Sequence, residues 1–187
     1  MANTTGKKIK DVAIIGGCAS LIYLTIGDIS YRLSLSRGGL NSKLITDMVA
    51  KSAAKKPKNE YKEKLDSMID DGADWFMHQD TEKIIIEKKH RQSLYADLIR
   101  PDKPSNVYII CIHGYTSSPA NMGIYAKKYH ELGYNVLLPS LRGHGDSEQD
   151  FITMGWNDRL DVIEWINYIA ERHPESKIIL HGVSMGA

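Results

Sequence analysis

Residues 107–112 read VYIICI, apolar at nearly every position. A strand with one wet face alternates apolar and polar side chains. An unbroken apolar run of this length, bounded by turn residues, fits a strand covered by helices on both faces. The rest of the C-terminal half repeats the theme. The turn 101–106 (PDKPSN) precedes the run, and a loop from His113 to Pro119 follows it. A helix is predicted from about Asn121 to Leu132, stopped by Gly133, then a strand over 134–138 and the glycine-rich LRGHGDS at 141–147. A second helix is predicted over about 156–172, with Leu160, Ile163, Ile166, Ile169 and Ala170 on its apolar side, and a strand at 177–180. This βαβαβ alternation predicts an α/β protein with a mostly parallel sheet flanked by helices. Upstream, Leu65, Met68, Ile69, Trp75 and Phe76 recur at near-helical spacing over 59–77, with Gly72 weakening the middle, and 83–88 and 93–99 read as strands.

Ligand-binding groups in open α/β sheets gather at the carboxyl ends of the strands. The loops after Ile112, Leu138 and Leu180 begin at such ends, so His113-Gly114-Tyr115, Arg142–Ser147 and Ser184 are expected to face one crevice. The last strand runs into HGVSMG at 181–186, which sets Gly182, Ser184 and Gly186 in a G-x-S-x-G spacing. A tight strand-to-helix turn of that kind exposes the serine hydroxyl. The hydroxyl is a poor nucleophile alone and needs a base and a group that orients the base. The bland alternative is a buried serine in a glycine turn. Metal binding by His144 and Asp146 lacks a third ligand, so neither a metal nor an organic cofactor is expected. Cys18 and Cys111 lie in separate apolar segments and give no disulfide framework, and Cys111 reads as a small buried hydrophobe.

Charge divides the chain. Residues 1–64 hold 12 Lys or Arg against 5 Asp or Glu, and residues 65–187 hold 12 against 18. With an acidic globular part and no stacking or zinc motif, nucleic acid is not an expected partner. Lys7, Lys8 and Lys10 precede an uncharged stretch from Val12 to Gly27, which Ile29, Tyr31, Leu33 and Leu35 extend beyond Asp28. The expected reading of 1–35 is a membrane anchor with the N-terminus in the cytoplasm. The rivals are a cleaved signal, which would make the protein secreted, and a buried or surface helix. Residues 36–74 are expected to form a basic linker and a peripheral helix, and 75–187 a partial catalytic domain.

Three motifs, HGYTSSP at 113–119, LRGHGDS at 141–147 and HGVSMG at 181–186, occur in order after strands. On these the chain resembles the α/β-hydrolases. With GW-x-D-R-L at 155–160 and the apolar N-terminus, it is similar to membrane-associated cell-surface hydrolases of Gram-positive bacteria. The resemblance implies the N-terminal part of an α/β-hydrolase fold preceded by a membrane-anchor-like helix, at the cell membrane with the catalytic part outside. It implies Ser184 as nucleophile and the backbone N–H groups of Tyr115 and Met185 as the oxyanion hole. Gly182, Gly186, His113, Gly114, Arg142, Gly143, His144 and Gly145 become elbow and loop scaffold, and Arg142 and Asp146 fix loop shape by polar contacts. Ser140 stands where many relatives carry Asp. The implied reaction is hydrolysis of a small-molecule ester or related acyl substrate through an acyl-serine. The alternative is an inactive membrane-tethered binding protein on the same fold. In the order Ser, acid, His, the partners of Ser184 would follow residue 187, so the chain is expected to be part of a longer protein.

Overall fold

The computed structural model describes residues 20–37, 59–90 and 92–187. Helix α1 covers 20–35, α2 is Glu60–Met77, α3 is Gly123–Glu131 and α4 is Asp158–Arg172. Five strands, β1 (Glu82–Ile86), β2 (Leu94–Ile99), β3 (Val107–Ile112), β4 (Asn135–Ser140) and β5 (Lys177–Gly182), form one sheet in the order β1-β2-β4-β3-β5.

The sheet is mixed, which corrects the expectation of a mostly parallel one. β3 pairs in parallel with both β4 and β5, whereas β2 runs antiparallel to both β1 and β4. The reason is the connection: only six residues separate Arg100 from Val107, too few for the crossover a parallel return needs.

The apolar run of β3 is buried on both faces because successive side chains point to opposite sides. Tyr108, Ile110 and Ile112 join Ile84, Leu98, Leu137, Trp165 and Ile169 on the α4 side. Ile109 and Cys111 join Phe76, Met122, Ala126, Val136 and Leu138 on the α2–α3 side. Burial pushes the Cys111 thiol up to about 12, so it packs as a hydrophobe. α2 lies on α3 at a glycine–glycine crossing: a Cβ at Gly123 would stand 2.0 Å from the Gly72 carbonyl oxygen, and one at Gly72 would stand 2.3 Å from Ile124 N. Gly72, which weakens α2 as a helix, is what lets α3 approach.

The N-terminal expectation is corrected. Among the described residues no helix is long and apolar enough to cross a membrane. The described part of the expected anchor, 20–35, is helix α1. It carries an Asp28–Arg32 ion pair at 2.8 Å. The membrane anchor, the membrane as partner and the cell-membrane location therefore do not stand; residues 1–19 of the expected anchor, and Cys18 with them, lie outside the described residues, as does most of the lysine-rich stretch at 38–58.

Candidate active site

The parallel register aligns the carboxyl ends of β3, β4 and β5: Ile112 faces Gly182, and Ile109 faces both Val136 and Ile179. The chain leaves all three strands at one end of the sheet, and the three motifs meet there.

After β5, Val183 is extended and Ser184 turns into a short 3-10 helix, Ser184–Gly186. Ser184 has φ +56°, a left-handed conformation that is uncommon for a residue with a Cβ. The turn closes against β3, with Val183 N–H donating to the Ile112 carbonyl at 3.1 Å. It is tight enough to exclude side chains at its two glycines. A Cβ at Gly182 would stand 2.0 Å from the Gly186 carbonyl oxygen, and one at Gly186 would stand 2.4 Å from the Ile112 carbonyl oxygen. The G-x-S-x-G spacing is thus a steric requirement of this turn.

The loop after β3 comes back to the serine. A Cβ at Gly114 would lie 3.2 Å from Ser184 Cβ and 3.8 Å from Ser184 Oγ. Next to it, the Tyr115 amide N–H has no hydrogen-bond partner among the described residues. Met185 follows the serine, and its carbonyl lies 3.5 Å from where a Gly155 Cβ would stand. Among the described residues Ser184 Oγ has no hydrogen-bond partner either.

Two histidines hold the loops from within. His113 Nε2 accepts from Leu141 N–H at 3.2 Å, and its Nδ1 donates to the Gly114 carbonyl at 2.9 Å. His144 Nε2 accepts from Thr116 N–H at 3.1 Å, and its Nδ1 donates to the Arg142 carbonyl at 2.9 Å. A backbone N–H can only donate and a carbonyl can only accept, so each ring is the neutral Nδ1–H tautomer. The rings meet edge to face at 5.0 Å. Burial lowers His113 to about 4, and burial lowers His144 as well. Both nitrogens of each ring are engaged, so neither histidine has a lone pair to offer Ser184. His181 is a third ring near the elbow. Its Nδ1 pairs with the Tyr129 hydroxyl at 2.7 Å, and the Tyr125 ring lies tilted against it with centroids 4.4 Å apart.

The 141–147 loop is tied down by charge. Arg142 grips Asp161 with two bonds at 2.6 and 2.8 Å, and the Arg142 backbone N–H donates to Asp158 at 3.0 Å. Asp161, the largest influence on it, raises Arg142 above its usual range. The other Asp158 oxygen accepts from Thr153 Oγ1 at 2.6 Å and Gly155 N–H at 3.0 Å. Gly143 has φ +74° and Gly145 φ +50°, and the Ser140 hydroxyl accepts from Asp146 N–H at 3.3 Å. The Asp146 carboxylate turns away to Lys83, at 2.8 Å, which also neutralises the buried Asp97 at 2.9 Å. Asp146 and His144 therefore point to different partners. No group of three His, Cys, Asp or Glu able to hold a metal occurs among the described residues.

Asp161, Lys83 and Asp97 were not singled out from sequence; Asp158 sits inside the quoted GW-x-D-R-L stretch, the one signal that could have found it.

A family described as "Serine aminopeptidase, S33" matches residues 103–187. A thermostable monoacylglycerol lipase of Bacillus sp. (strain H-257) is 32% identical over 85 residues, covering 43% of this chain and 32% of the relative. The uncharacterized protein YqkD of Bacillus subtilis (strain 168) is 29% identical over 113 residues, covering 60% of this chain and 37% of the relative. Among solved structures, an esterase of Pyrococcus furiosus superposes with a TM-score of 0.53 at 29% identity, over 60% of this chain and 44% of the other. The chain thus spans about a third of the length of the curated relatives it matches. The expected likeness to membrane-associated cell-surface hydrolases gives way, with the anchor, to this broader one. The mixed sheet, the serine turn at the end of β5 and these likenesses agree on an α/β-hydrolase-like fold of the serine-hydrolase type.

Proposed function

We propose that Ser184 is the nucleophile of a serine hydrolase that cleaves a carboxylic ester, or a related acyl compound, through an acyl-serine intermediate. The observation that carries this reading is the left-handed Ser184 at the end of β5, with the Gly114–Tyr115 loop against its hydroxyl. In the reaction a base takes the Ser184 proton as Oγ attacks the carbonyl carbon. The carbonyl oxygen becomes negative and is held by the backbone N–H groups of Tyr115 and Met185. Collapse of the tetrahedral species releases the alcohol, and water then frees the acid by the same route. Such a donor contributes about 3–4 kcal/mol where one has been removed. The unpaired Tyr115 N–H supports its part in the role. Gly182, Gly186, His113, Gly114, Arg142, Gly143, His144 and Gly145 hold the two loops and the turn in place.

His113 and His144 are excluded as the base by their hydrogen bonds, and the reading assigns the base and its acid to the whole protein outside the described residues. An ester as substrate is supported by the names of the lipase and the esterase among the similar proteins. The test is labelling of the whole protein with a fluorophosphonate probe, followed by turnover of p-nitrophenyl butyrate and of an aminoacyl p-nitroanilide. Labelling at Ser184, ester turnover above anilide turnover, and loss of both in Ser184→Ala are the expected results. A second reading, a non-catalytic binding protein on the same fold, is favoured by the unpartnered Ser184 hydroxyl. Absence of labelling and of turnover would establish it over the first.

A further inference from the structure

The chain does not leave the domain when α1 ends. Ser36 makes an isolated antiparallel bridge to Phe151. Arg37 N–H donates to the Asp150 carbonyl and Ile152 N–H donates to the Leu35 carbonyl, each at 2.7 Å. The Arg37 guanidinium then donates to the Gly145 carbonyl at 2.6 Å and to the Ser147 carbonyl. From the other motif, the Tyr115 hydroxyl donates to the Ser34 carbonyl. Tyr31 and Phe151 add a ring contact at 5.5 Å. A segment of four residues, 34–37, thus holds the loop after β3 and the loop after β4 at once.

We propose that residues 34–37 are a strap that positions the Tyr115 loop beside Ser184, with Arg37 and the Tyr115 hydroxyl as positioning groups. The loop needs external support. Thr116 is β-branched and has φ +55°, a strained conformation that persists only where surroundings impose it. Two anchors impose it here: His144, which takes the Thr116 N–H, and the strap, which takes the neighbouring Tyr115 side chain. The His144 anchor belongs to the 141–147 loop, and Arg37 clasps two carbonyls of the same loop. Arginine suits that task because its planar fork reaches two acceptors at once, which a lysine ammonium on a flexible stem does less well. The consequence for catalysis rests on the serine-hydrolase reading: the strap sets the direction of the Tyr115 N–H, so its loss acts on the transition state rather than on ground-state binding.

Two measurements test this. Hydrogen exchange on the whole protein compares wild type with Arg37→Ala, Arg37→Lys and Tyr115→Phe. The expected result for Arg37→Ala is exchange faster by about 10-fold at the hydrogen-bonded amides of Thr116, Ser117 and Ile152, with β3 and β4 amides unchanged and Arg37→Lys intermediate. Unchanged exchange at Thr116 and Ser117 in both Arg37→Ala and Tyr115→Phe overturns the strap. In the whole protein, ester turnover is then measured per phosphonate-titrated serine. Tyr115→Phe is expected to lower kcat by about 3- to 10-fold with KM within twofold. An unchanged kcat per titrated serine overturns the positioning role. A wild type that neither labels nor turns over defeats the hydrolase reading, while the exchange data still decide the strap.

Discussion

His113 makes the fold sensitive to acid, and the size of the effect follows from its two hydrogen bonds. Its Nε2 accepts the Leu141 N–H, so a proton added there would face another N–H at 3.2 Å, inside a fully buried site. Burial accordingly holds the ring at about 4, against about 6.5 in an unfolded chain. A folded-state pKa below the unfolded one means that the unfolded chain binds the proton first as pH falls. The contribution is therefore fully present above about pH 6.5 and is lost progressively as pH falls toward 4. Between pH 7.5 and 4.5 the loss from this one ring is about 2.5 kcal/mol, from the two pKa values and RT. His144, lowered in the same direction by burial, adds to it. The assay is urea denaturation at the two pH values for wild type and His113→Asn. Taking the difference between the proteins cancels carboxylate titration common to both. Asn lacks the titrating nitrogen, so the variant starts less stable but should lose about 2.5 kcal/mol less on acidification. Equal losses in the two proteins would refute the neutral, doubly bonded assignment of His113.

Gly123→Ala should destabilise by about 3 kcal/mol, since its Cβ meets the Gly72 carbonyl oxygen at 2.0 Å, whereas Gly133→Ala, with open space but φ +80°, should lose only about 1 kcal/mol in the same urea titration. Arg142→Met removes both bonds to a buried Asp161 and should lose about 3 kcal/mol at neutral pH by chemical denaturation, because the carboxylate is left buried without its partner.

What could be read from the chain alone follows the range of the interactions. VYIICI gave β3 over 107–112 and its two buried faces, because burial of both faces is written into six adjacent residues. Pairing direction was not written there: that β2 runs antiparallel to β4 depends on Ile99 meeting Val136, 37 positions away. The apolar stretch before residue 36 suggested a bilayer because hydropathy does not name the solvent, and the Asp28–Arg32 pair, four residues apart, was the local sign against it. Gly72 looked like a flaw in a helix because its use lies on another helix. The three site motifs were legible since each sits at the end of its own strand, but what joins them was not. Arg37 reaches Gly145 across 108 positions and Tyr115 reaches Ser34 across 81. The histidines make the same point in chemical form. From sequence, only likeness to other proteins assigns His113 to the scaffold. The fold supplies a reason independent of likeness: a backbone N–H aimed at Nε2 consumes the lone pair that a general base must offer, and a carbonyl at Nδ1 fixes where the single ring proton stays.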